Sequence, residues 1–353
     1  MTQSGDPLGT HRVLVEPGTD ASEPIALPQR ALRLDNDPEK VFETEIVVEV
    51  ETLNVDAASF RQMEEASGGD VAEVGERVLA TVRERGKQHN PVTGSGGMLL
   101  GRVSRVGNLV QDRGFAVGDR VATLASLSLT PLYLDRVREV RPVSAQLDVV
   151  GRAFIFASAP MARMPSDLPE RLALAVLDVA GAAPQVARLA HPGEAVLVLG
   201  GGGKSGLLCA AEARRRVGSE GRVIALENHA PFAEELRALG FCDEVISGDA
   251  RDVIHVRDEV RRLTRGRGCD LTLSCVNVPG CEMAAISATC DRGRVYFFAM
   301  STSFTACALG AEGIGADVDL YIGNGYAHGH AAHTLDLVRS SPALRELLQR
   351  RYG

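Results

Sequence analysis

The segment that most constrains the fold is AVLVLGGGGKSGLLCAAEARRR, residues 195–216, in which a short apolar strand passes through a glycine turn directly into a helix. Its glycines have two spacings, Gly201-x-Gly203-x-x-Gly206 and Gly200-x-x-Gly203-x-x-Gly206. Such a turn tolerates positive φ and lets a phosphate approach the backbone, while the first helical N–H groups attract negative charge. We therefore predict that it binds the pyrophosphate of a dinucleotide. The predicted contacts are Gly200, Gly201, Gly203, Lys204, Ser205 and Gly206.

An acidic residue follows this turn at the end of the next apolar segment. Glu227 stands about 20 residues beyond Gly206, where a carboxylate accepts hydrogen bonds from the adenosine ribose hydroxyls and repels a 2′-phosphate. This spacing favours NAD over NADP. A solvated charge at a strand end is the alternative interpretation of Glu227.

The second half of the chain alternates short apolar strands with helices, which is typical of a doubly wound parallel sheet, the Rossmann fold. The predicted strands are Ala195–Leu199, Val223–Leu226, Glu244–Ser247, Leu271–Cys275, Arg294–Phe298 and Asp319–Ile322. Residues after the fourth and fifth strands lie at the ligand-binding edge of such a sheet. We therefore expect further cofactor contacts from Val276, Asn277, Ala299, Met300 and Ser301.

The first half favours a barrel-like β-domain. The predicted strands are Glu45–Thr52, Leu99–Val106 and Arg120–Leu124. Val71–Arg85 has helical spacing after Asp70, a candidate N-cap. We predict a substrate domain over residues 1–167 and a dinucleotide domain over 168–327, which begins with one long helix at Leu168–Leu189. Residues 328–353 should return to the first domain and contain a helical segment at Leu335–Leu348.

Composition limits the partners. The net charge of −8 argues against nucleic acid, and no apolar run reaches the roughly 18 residues of a membrane span. The first residues have no secretory pattern, so we expect a cytoplasmic protein.

Histidines and cysteines are the candidate metal ligands of the chain. The first half has no cysteine, and its histidines are His11 and His89. His328-x-His330-x-x-His333 could bind zinc or nickel, but the sequence shows no acidic or thiol partner converging on it. We expect a loop of solvated histidines and no metal site.

Motifs along most of the chain are similar to those of medium-chain dehydrogenases and reductases: EIVVEVETLNVDAASF, FAVGDRVATL, LPERLALAVLDVAGAAPQVARL and VLVLGGGGKSG. More narrowly, GTHRVLVEP, NPVTGSGGMLLG, CVNVPGCEM and AMSTSFTACALGAEGIG resemble the L-erythro-3,5-diaminohexanoate dehydrogenase family.

This resemblance implies a GroES-like β-barrel domain before the Rossmann domain, a homodimer, and NAD(P)-dependent oxidative deamination of a diamino acid to 5-amino-3-oxohexanoate in lysine fermentation. The superfamily's zinc ligands do not carry over, because the ligand position reads Asn54-Val55-Asp56. Zinc-independent chemistry is implied.

Oxidative deamination requires a general base, and carboxylates are the candidates. Asp178 interrupts an apolar segment that runs beside the nicotinamide in the superfamily, although it could instead brace a helix. Glu64 and Glu65 follow Ala57–Met63, where solvated helix charges are the alternative. Asp56 and Glu312 are weaker candidates, since such residues more often form turns. Arg12 could bind the substrate carboxylate, with an ordinary surface arginine as the alternative.

Two other functions remain open from sequence. The first is a zinc-independent quinone or enoyl reductase, which would have an apolar pocket. The second is a non-catalytic dinucleotide-binding protein.

Overall fold

A computed structural model describes residues 4–15, 26–55, 57–90, 94–323 and 325–353. The chain divides into two compact units, Met1–Ser166 and Asp167–Gly353. The contact boundary therefore lies next to Asp167, where the sequence changes from β-rich to alternating strands and helices.

The first unit is built on an antiparallel sheet of six strands. Its elements are β1 (Val13–Leu14), β2 (Arg33–Leu34), β3 (Glu45–Asn54), α1 (Ala57–Ala66), α2 (Val71–Arg85), β4 (Met98–Val106), β5 (Arg120–Thr123), β6 (Leu132–Arg141), β7 (Gln146–Phe156) and β8 (Met161–Arg163). The strand order is β6-β7-β3-β4-β5-β8, and β1 pairs with β2 separately. Inward side chains such as Ile46, Leu99 and Leu147 form an apolar core with one face of α2.

Helix α2 has the predicted bounds, because both of its ends have local signals. The Asp70 side chain accepts the N–H groups of Ala72 and Glu73, which satisfies donors at the first turn. Gly86 ends the helix at φ 67°, and a Cβ there would lie 1.9 Å from the Leu34 carbonyl oxygen. Only glycine fits both the conformation and the close approach.

The second unit contains the Rossmann sheet. Its elements are α3 (Glu170–Leu177), α4 (Ala182–Leu189), β9 (Ala195–Leu199), α5 (Lys204–Val217), β10 (Arg222–Glu227), α6 (Ala230–Leu239), β11 (Glu244–Ser247), α7 (Val253–Leu263), β12 (Cys269–Ser274), α8 (Glu282–Ser287), β13 (Thr289–Phe297), α9 (Phe304–Ile314), β14 (Val318–Ile322), α10 (His330–Ser340) and α11 (Pro342–Tyr352). All strand pairs are parallel, in the order β11-β10-β9-β12-β13-β14. This order places β9 at the centre of the sheet. The strand order reverses between β9 and β12, and in such folds ligands bind at the carboxyl ends of the strands at that point.

The prediction of one long helix over Leu168–Leu189 is wrong. The segment is divided into α3 and α4, which meet at 48°. The break is held by tertiary contacts, since the Thr334 hydroxyl donates to the Ala180 carbonyl and a Cβ on Gly181 would lie 2.1 Å from the Gly325 carbonyl oxygen.

The C-terminal segment forms two helices, α10 and α11. Both belong to the second unit and are not a separate part of the chain. Helix α10 packs on α3, α4 and α5, and α11 packs on α3 and α6. These contacts belong to the unit Asp167–Gly353 and differ from the expected return to the first domain.

Within the described ranges, no single helix has both the length and the apolar character needed to cross a bilayer, and α3 and α4 meet that test only as a bent pair.

Candidate cofactor loop and active site

The glycine turn is tied to the neighbouring strand through its backbone. The N–H groups of Gly200 and Gly201 both donate to the Leu226 carbonyl, at 2.9 and 3.1 Å. Gly200 has φ 74°, and a Cβ on Gly206 would lie 2.1 Å from the Gly200 carbonyl oxygen. The first and last glycines are therefore required by the protein's own packing.

Gly203 differs, because the protein leaves space beside it. A Cβ there would meet only the Gly200 carbonyl oxygen, at an ordinary contact distance of 3.5 Å. Gly203 is also the N-cap of α5, and no side chain caps that helix. The N–H groups that start α5, including those of Lys204 and Ser205, are thus available to an anion. This cradle fits the pyrophosphate of a dinucleotide.

Glu227 lies at the end of β10 and is buried, so the alternative of a solvated charge is wrong. Its Oε2 accepts the Gly202 N–H at 2.9 Å, and its Oε1 accepts the His229 N–H at 3.0 Å. These bonds hold the carboxylate against the glycine turn. Each oxygen retains acceptor capacity for a ribose hydroxyl, because an ionised carboxylate has about four lone-pair sites.

Asp178 follows α3 directly and is paired with the cofactor loop. Its Oδ2 accepts a hydrogen bond from Lys204 Nζ at 2.5 Å, and its side chain is 41% exposed. It is the C-cap residue of α3, so the interpretation as a helix brace and the interpretation as an active group both remain compatible with its position. Through Lys204, this carboxylate is joined to the first residue of α5.

Glu64 and Glu65 lie in the last turn of α1, in the first unit. Carboxylates at a helix C-terminus face the negative end of the helix dipole, which disfavours them. Neither has an ion-pair partner among the residues that the structure describes. Asp56 lies outside the described residues.

The two other weaker candidates, Arg12 and Glu312, lie in different units of the structure. Arg12 is fully buried, and its Nε and Nη2 each donate to the Glu45 carboxylate at 2.8 Å. Its guanidinium is therefore occupied in the first unit, and neither a surface position nor a substrate clamp is correct. Glu312 is exposed on α9 and is not in a turn.

The segments after β12 and β13 approach each other beside the glycine turn. The Ser301 hydroxyl donates to the Val276 carbonyl at 3.1 Å, and the Ala299 N–H bonds the Ser274 carbonyl. Val276 also borders Gly200, because a Cβ on that glycine would lie 3.0 Å from the valine side chain. Two other predicted contacts, Asn277 and Met300, are exposed.

The histidine cluster does not form the expected solvated loop. His330 and His333 are on α10, where His330 is buried against Tyr326 and His333 lies 3.3 Å from the Glu212 carboxylate. In the described part of the chain, no three histidine, cysteine or acidic side chains converge as a metal site would require.

One contact to the glycine turn was missed from sequence. Arg351, in the last turn of α11, donates from Nη1 to the Gly202 carbonyl oxygen at 2.5 Å. The next residue, Tyr352, places its ring centre 5.7 Å from Lys204 Nζ. These pairs are far apart along the chain, and no local spacing pattern could have indicated them.

The chain is similar to two curated relatives over nearly its whole length, and its first part matches a family model. Residues 20–165 match the family described as L-erythro-3,5-diaminohexanoate dehydrogenase N-terminal domain. The protein named L-erythro-3,5-diaminohexanoate dehydrogenase of Acetoanaerobium sticklandii is 44% identical over 349 residues, covering 99% of both chains. Its namesake from Fusobacterium nucleatum subsp. nucleatum is 43% identical over 351 residues, again 99% of each.

Solved structures share the fold at lower identity. A mycobacterial quinone oxidoreductase superposes with a TM-score of 0.54 at 18% identity, covering 92% of this chain and 94% of that one. CurK enoyl reductase gives a TM-score of 0.52 at 18% identity, over 87% and 78% of the two chains. A mycobacterial protein complexed with NADPH gives 0.53 at 17%, over 87% and 86%. By its fold this chain is similar to these solved structures, and by sequence it belongs to the L-erythro-3,5-diaminohexanoate dehydrogenase family.

Proposed function

We propose that this chain catalyses the NAD-dependent oxidative deamination of L-erythro-3,5-diaminohexanoate to 5-amino-3-oxohexanoate and ammonium, as a step of lysine fermentation. The observation that carries the proposal is the pairing of Asp178 with Lys204, because it joins a carboxylate to the loop that fits a dinucleotide. Family membership supplies the substrate.

The reaction needs one base and one water molecule. The substrate's 3-ammonium group loses a proton, and the neutral amine lone pair then drives loss of hydride from C3, which gives an iminium ion. When bound, NAD supplies the hydride acceptor. Water adds to the iminium carbon, and the C–N bond breaks to give the ketone and ammonium.

We assign the first proton transfer to Asp178. Its Oδ2 accepts from Lys204, and no hydrogen bond to its Oδ1 is recorded in the part of the chain that the structure describes. That oxygen can accept a proton from the substrate while Lys204 fixes the carboxylate's orientation. Glu64 and Glu65 are the second assignment, as a site for the 5-ammonium group or as the base that activates water.

The cofactor we propose is NAD, with NADP as the competing possibility. The buried negative charge of Glu227, at the end of β10 and against the glycine turn, would repel a 2′-phosphate and accept ribose hydroxyls. The proposed pyrophosphate contacts in the turn are Gly200, Gly201, Gly203, Ser205 and Gly206. The proposed contacts from the segments after β12 and β13 are Val276, Asn277, Ala299, Met300 and Ser301.

We further propose a cytoplasmic homodimer. β14 is an edge strand whose Tyr321 and Ile322 are exposed, and α9 exposes Phe304, Leu309 and Ile314. An unpaired strand edge with apolar neighbours can pair with its own copy about a two-fold axis. All seven cysteines are free, which suits a reducing compartment.

The test is to supply purified protein with the diamino acid and NAD, then NADP, and to follow the absorbance of the reduced cofactor. We expect reduction of NAD that falls by at least about a hundredfold in Asp178→Asn, since a general base contributes about 10²- to 10⁴-fold. Activity retained in Asp178→Asn would move the base to Glu64 or Glu65.

Two outcomes would contradict the proposal itself. Turnover of enones or quinones but not of the diamino acid would favour a reductase that shares only the fold. Tight NADH binding with no turnover of any amine would favour a non-catalytic dinucleotide-binding protein.

A further inference from the structure

The last turn of the C-terminal helix lies against the middle of the glycine turn. Arg351 reaches Gly202, the one glycine of the run of four that has no place in the predicted spacing, and donates to its carbonyl oxygen at 2.5 Å. The two residues are 149 positions apart in the chain.

Arg351 is itself held in place from two other sides. Its Nε donates to the Glu235 carboxylate at 2.8 Å, and the guanidinium carbon lies 3.7 Å from the centre of the Phe232 ring. The side chain is only 9% exposed. Both partners belong to α6, so Arg351 fixes α11 to α6 and the glycine turn to both helices.

The backbone of Gly202 is consequently held at both of its polar groups. Its N–H donates to Glu227 Oε2 at 2.9 Å, and its carbonyl accepts from Arg351. The carbonyl shares a peptide plane with the Gly203 N–H, the group immediately before α5. Arg351 therefore fixes the orientation of the peptide that leads into the open helix N-terminus.

The neighbouring residue connects the same turn of α11 to the proposed base. The Tyr352 ring lies 5.7 Å from Lys204 Nζ, within reach of a cation–π interaction, and Lys204 is paired with Asp178. The end of α11 thus contacts both sides of the cradle, the turn through Arg351 and the start of α5 through Tyr352.

We propose that Arg351 is a positioning residue that preorganises the glycine turn and thereby sets the affinity for the dinucleotide. It does this through the Gly202 carbonyl and needs no contact with the cofactor. Without it, the Gly202–Gly203 peptide is held only by the bond from the Gly203 N–H to the Gly200 carbonyl, at 3.3 Å, and more of its ordering is left to cofactor binding, which lowers affinity. The inference rests on the proposed function, because it assumes that a nicotinamide dinucleotide binds at this turn.

The matched control is the adjacent arginine. Arg350 also pairs with Glu235, at 3.3 Å, but it is 62% exposed and has no recorded bond to the glycine turn within the described residues. Arg350→Gln therefore removes a Glu235 partner on the same helix and leaves the Gly202 contact intact. Arg351→Lys keeps the charge but loses the planar guanidinium that stacks on Phe232.

Cofactor binding would be measured by NADH fluorescence titration, with KM for NAD and kcat determined in parallel. For Arg351→Gln we expect Kd and KM to rise about tenfold, because the loss of a hydrogen bond to a charged group changes an equilibrium constant by about that factor. The kcat should stay within about twofold of wild type. Arg351→Lys should recover part of the loss, and Arg350→Gln should match wild type. A general loss of folding would instead lower kcat and the melting temperature together.

The result that overturns the inference is an Arg351→Gln protein with the Kd and KM of wild type, or an Arg350→Gln protein with the same loss. If Arg351→Gln does not fold, Glu235→Gln tests the same point, because it weakens one of the two contacts that hold Arg351 to α6 and should raise Kd about two- to fivefold. Wild-type protein that binds no NADH would contradict the proposed function instead, which keeps the two failures distinguishable.

Discussion

At the scale of single residues, the second unit uses backbone contacts to hold charged side chains in fixed positions. Glu227 is the clearest example, because both of its oxygens accept backbone N–H groups from the turn and from His229. Such a carboxylate cannot rotate away from an incoming 2′-phosphate. Cofactor choice should therefore depend on this one charge.

We expect Glu227→Ser to weaken the preference for NAD. The ratio of kcat/KM for NAD to that for NADP should fall at least about tenfold, because the repulsion of the 2′-phosphate is removed. The matched control is Glu234→Ser on the exposed side of α6, which should leave the ratio unchanged. An unchanged ratio in Glu227→Ser would assign cofactor choice to another residue.

A second residue-scale prediction concerns Lys87 in the first unit. Its ammonium is fully buried and donates to the carbonyls of Pro28 and Ala31, at 3.0 and 2.7 Å. Burial, with a smaller contribution from the charge of Arg85, lowers the pKa of Lys87 from 10.5 to about 8. Between these values the unfolded chain binds a proton that the folded chain does not, so the free energy of unfolding rises with pH.

The measurement is urea unfolding of wild type and Lys87→Met at about pH 7 and about pH 10. The free energy of unfolding of wild type, relative to that of Lys87→Met, should rise by roughly 2 to 3 kcal/mol between these two pH values. Subtracting the variant removes the titration of the groups that do not interact with Lys87. A difference that does not change with pH would mean that Lys87 has an ordinary pKa.

At the scale of helices and strands, local signals explain which bounds could be predicted. Helix α2 begins and ends as expected, because Asp70 and Gly86 determine its ends within the segment itself. The α3–α4 break could not be predicted in this way. It depends on Gly325 and Thr334, which are distant from Ala180 and Gly181 along the chain and meet them only through the tertiary fold.

This break gives a stability prediction. Gly181→Ala should lower the free energy of unfolding by about 1 to 3 kcal/mol, because the new methyl group would overlap the Gly325 carbonyl. Gly313→Ala is the control: Gly313 lies within α9, Gly181 has helical backbone angles as the N-cap of α4, and a Cβ on Gly313 meets nothing within 4 Å. It should be neutral or stabilising. Equal effects of the two changes on thermal unfolding would contradict the steric argument.

At the scale of the whole molecule, the sequence predicted the parallel sheet, the glycine turn between β9 and α5, and the position of Glu227 at a strand end, since each follows from spacing along a short stretch. The partners of Asp178 and Gly202 could not be predicted, because Lys204 and Arg351 reach them from other elements. Family resemblance supplied the substrate, which periodicity and composition do not encode.

The proposed dimer can be tested at this scale by light scattering after size exclusion. Wild type should have twice the chain mass of 37.5 kDa, and Ile322→Lys should be monomeric, because a charge on the edge strand blocks pairing with a second copy. Ile254→Lys on α7 is matched in type and similar in exposure, 55% against 63%, and should remain dimeric. A dimeric Ile322→Lys protein would place the interface elsewhere.

The strand order has a consequence for synthesis of the chain on the ribosome. β9, β10 and β11 are consecutive and adjacent, but the other side of β9 is covered only by β12, which emerges after α7. Until then the nascent chain presents AVLVL, a segment buried in the finished fold, as an open strand edge. Such an edge is a template for aggregation, so a lower expression level, with fewer incomplete chains present at once, should favour soluble yield.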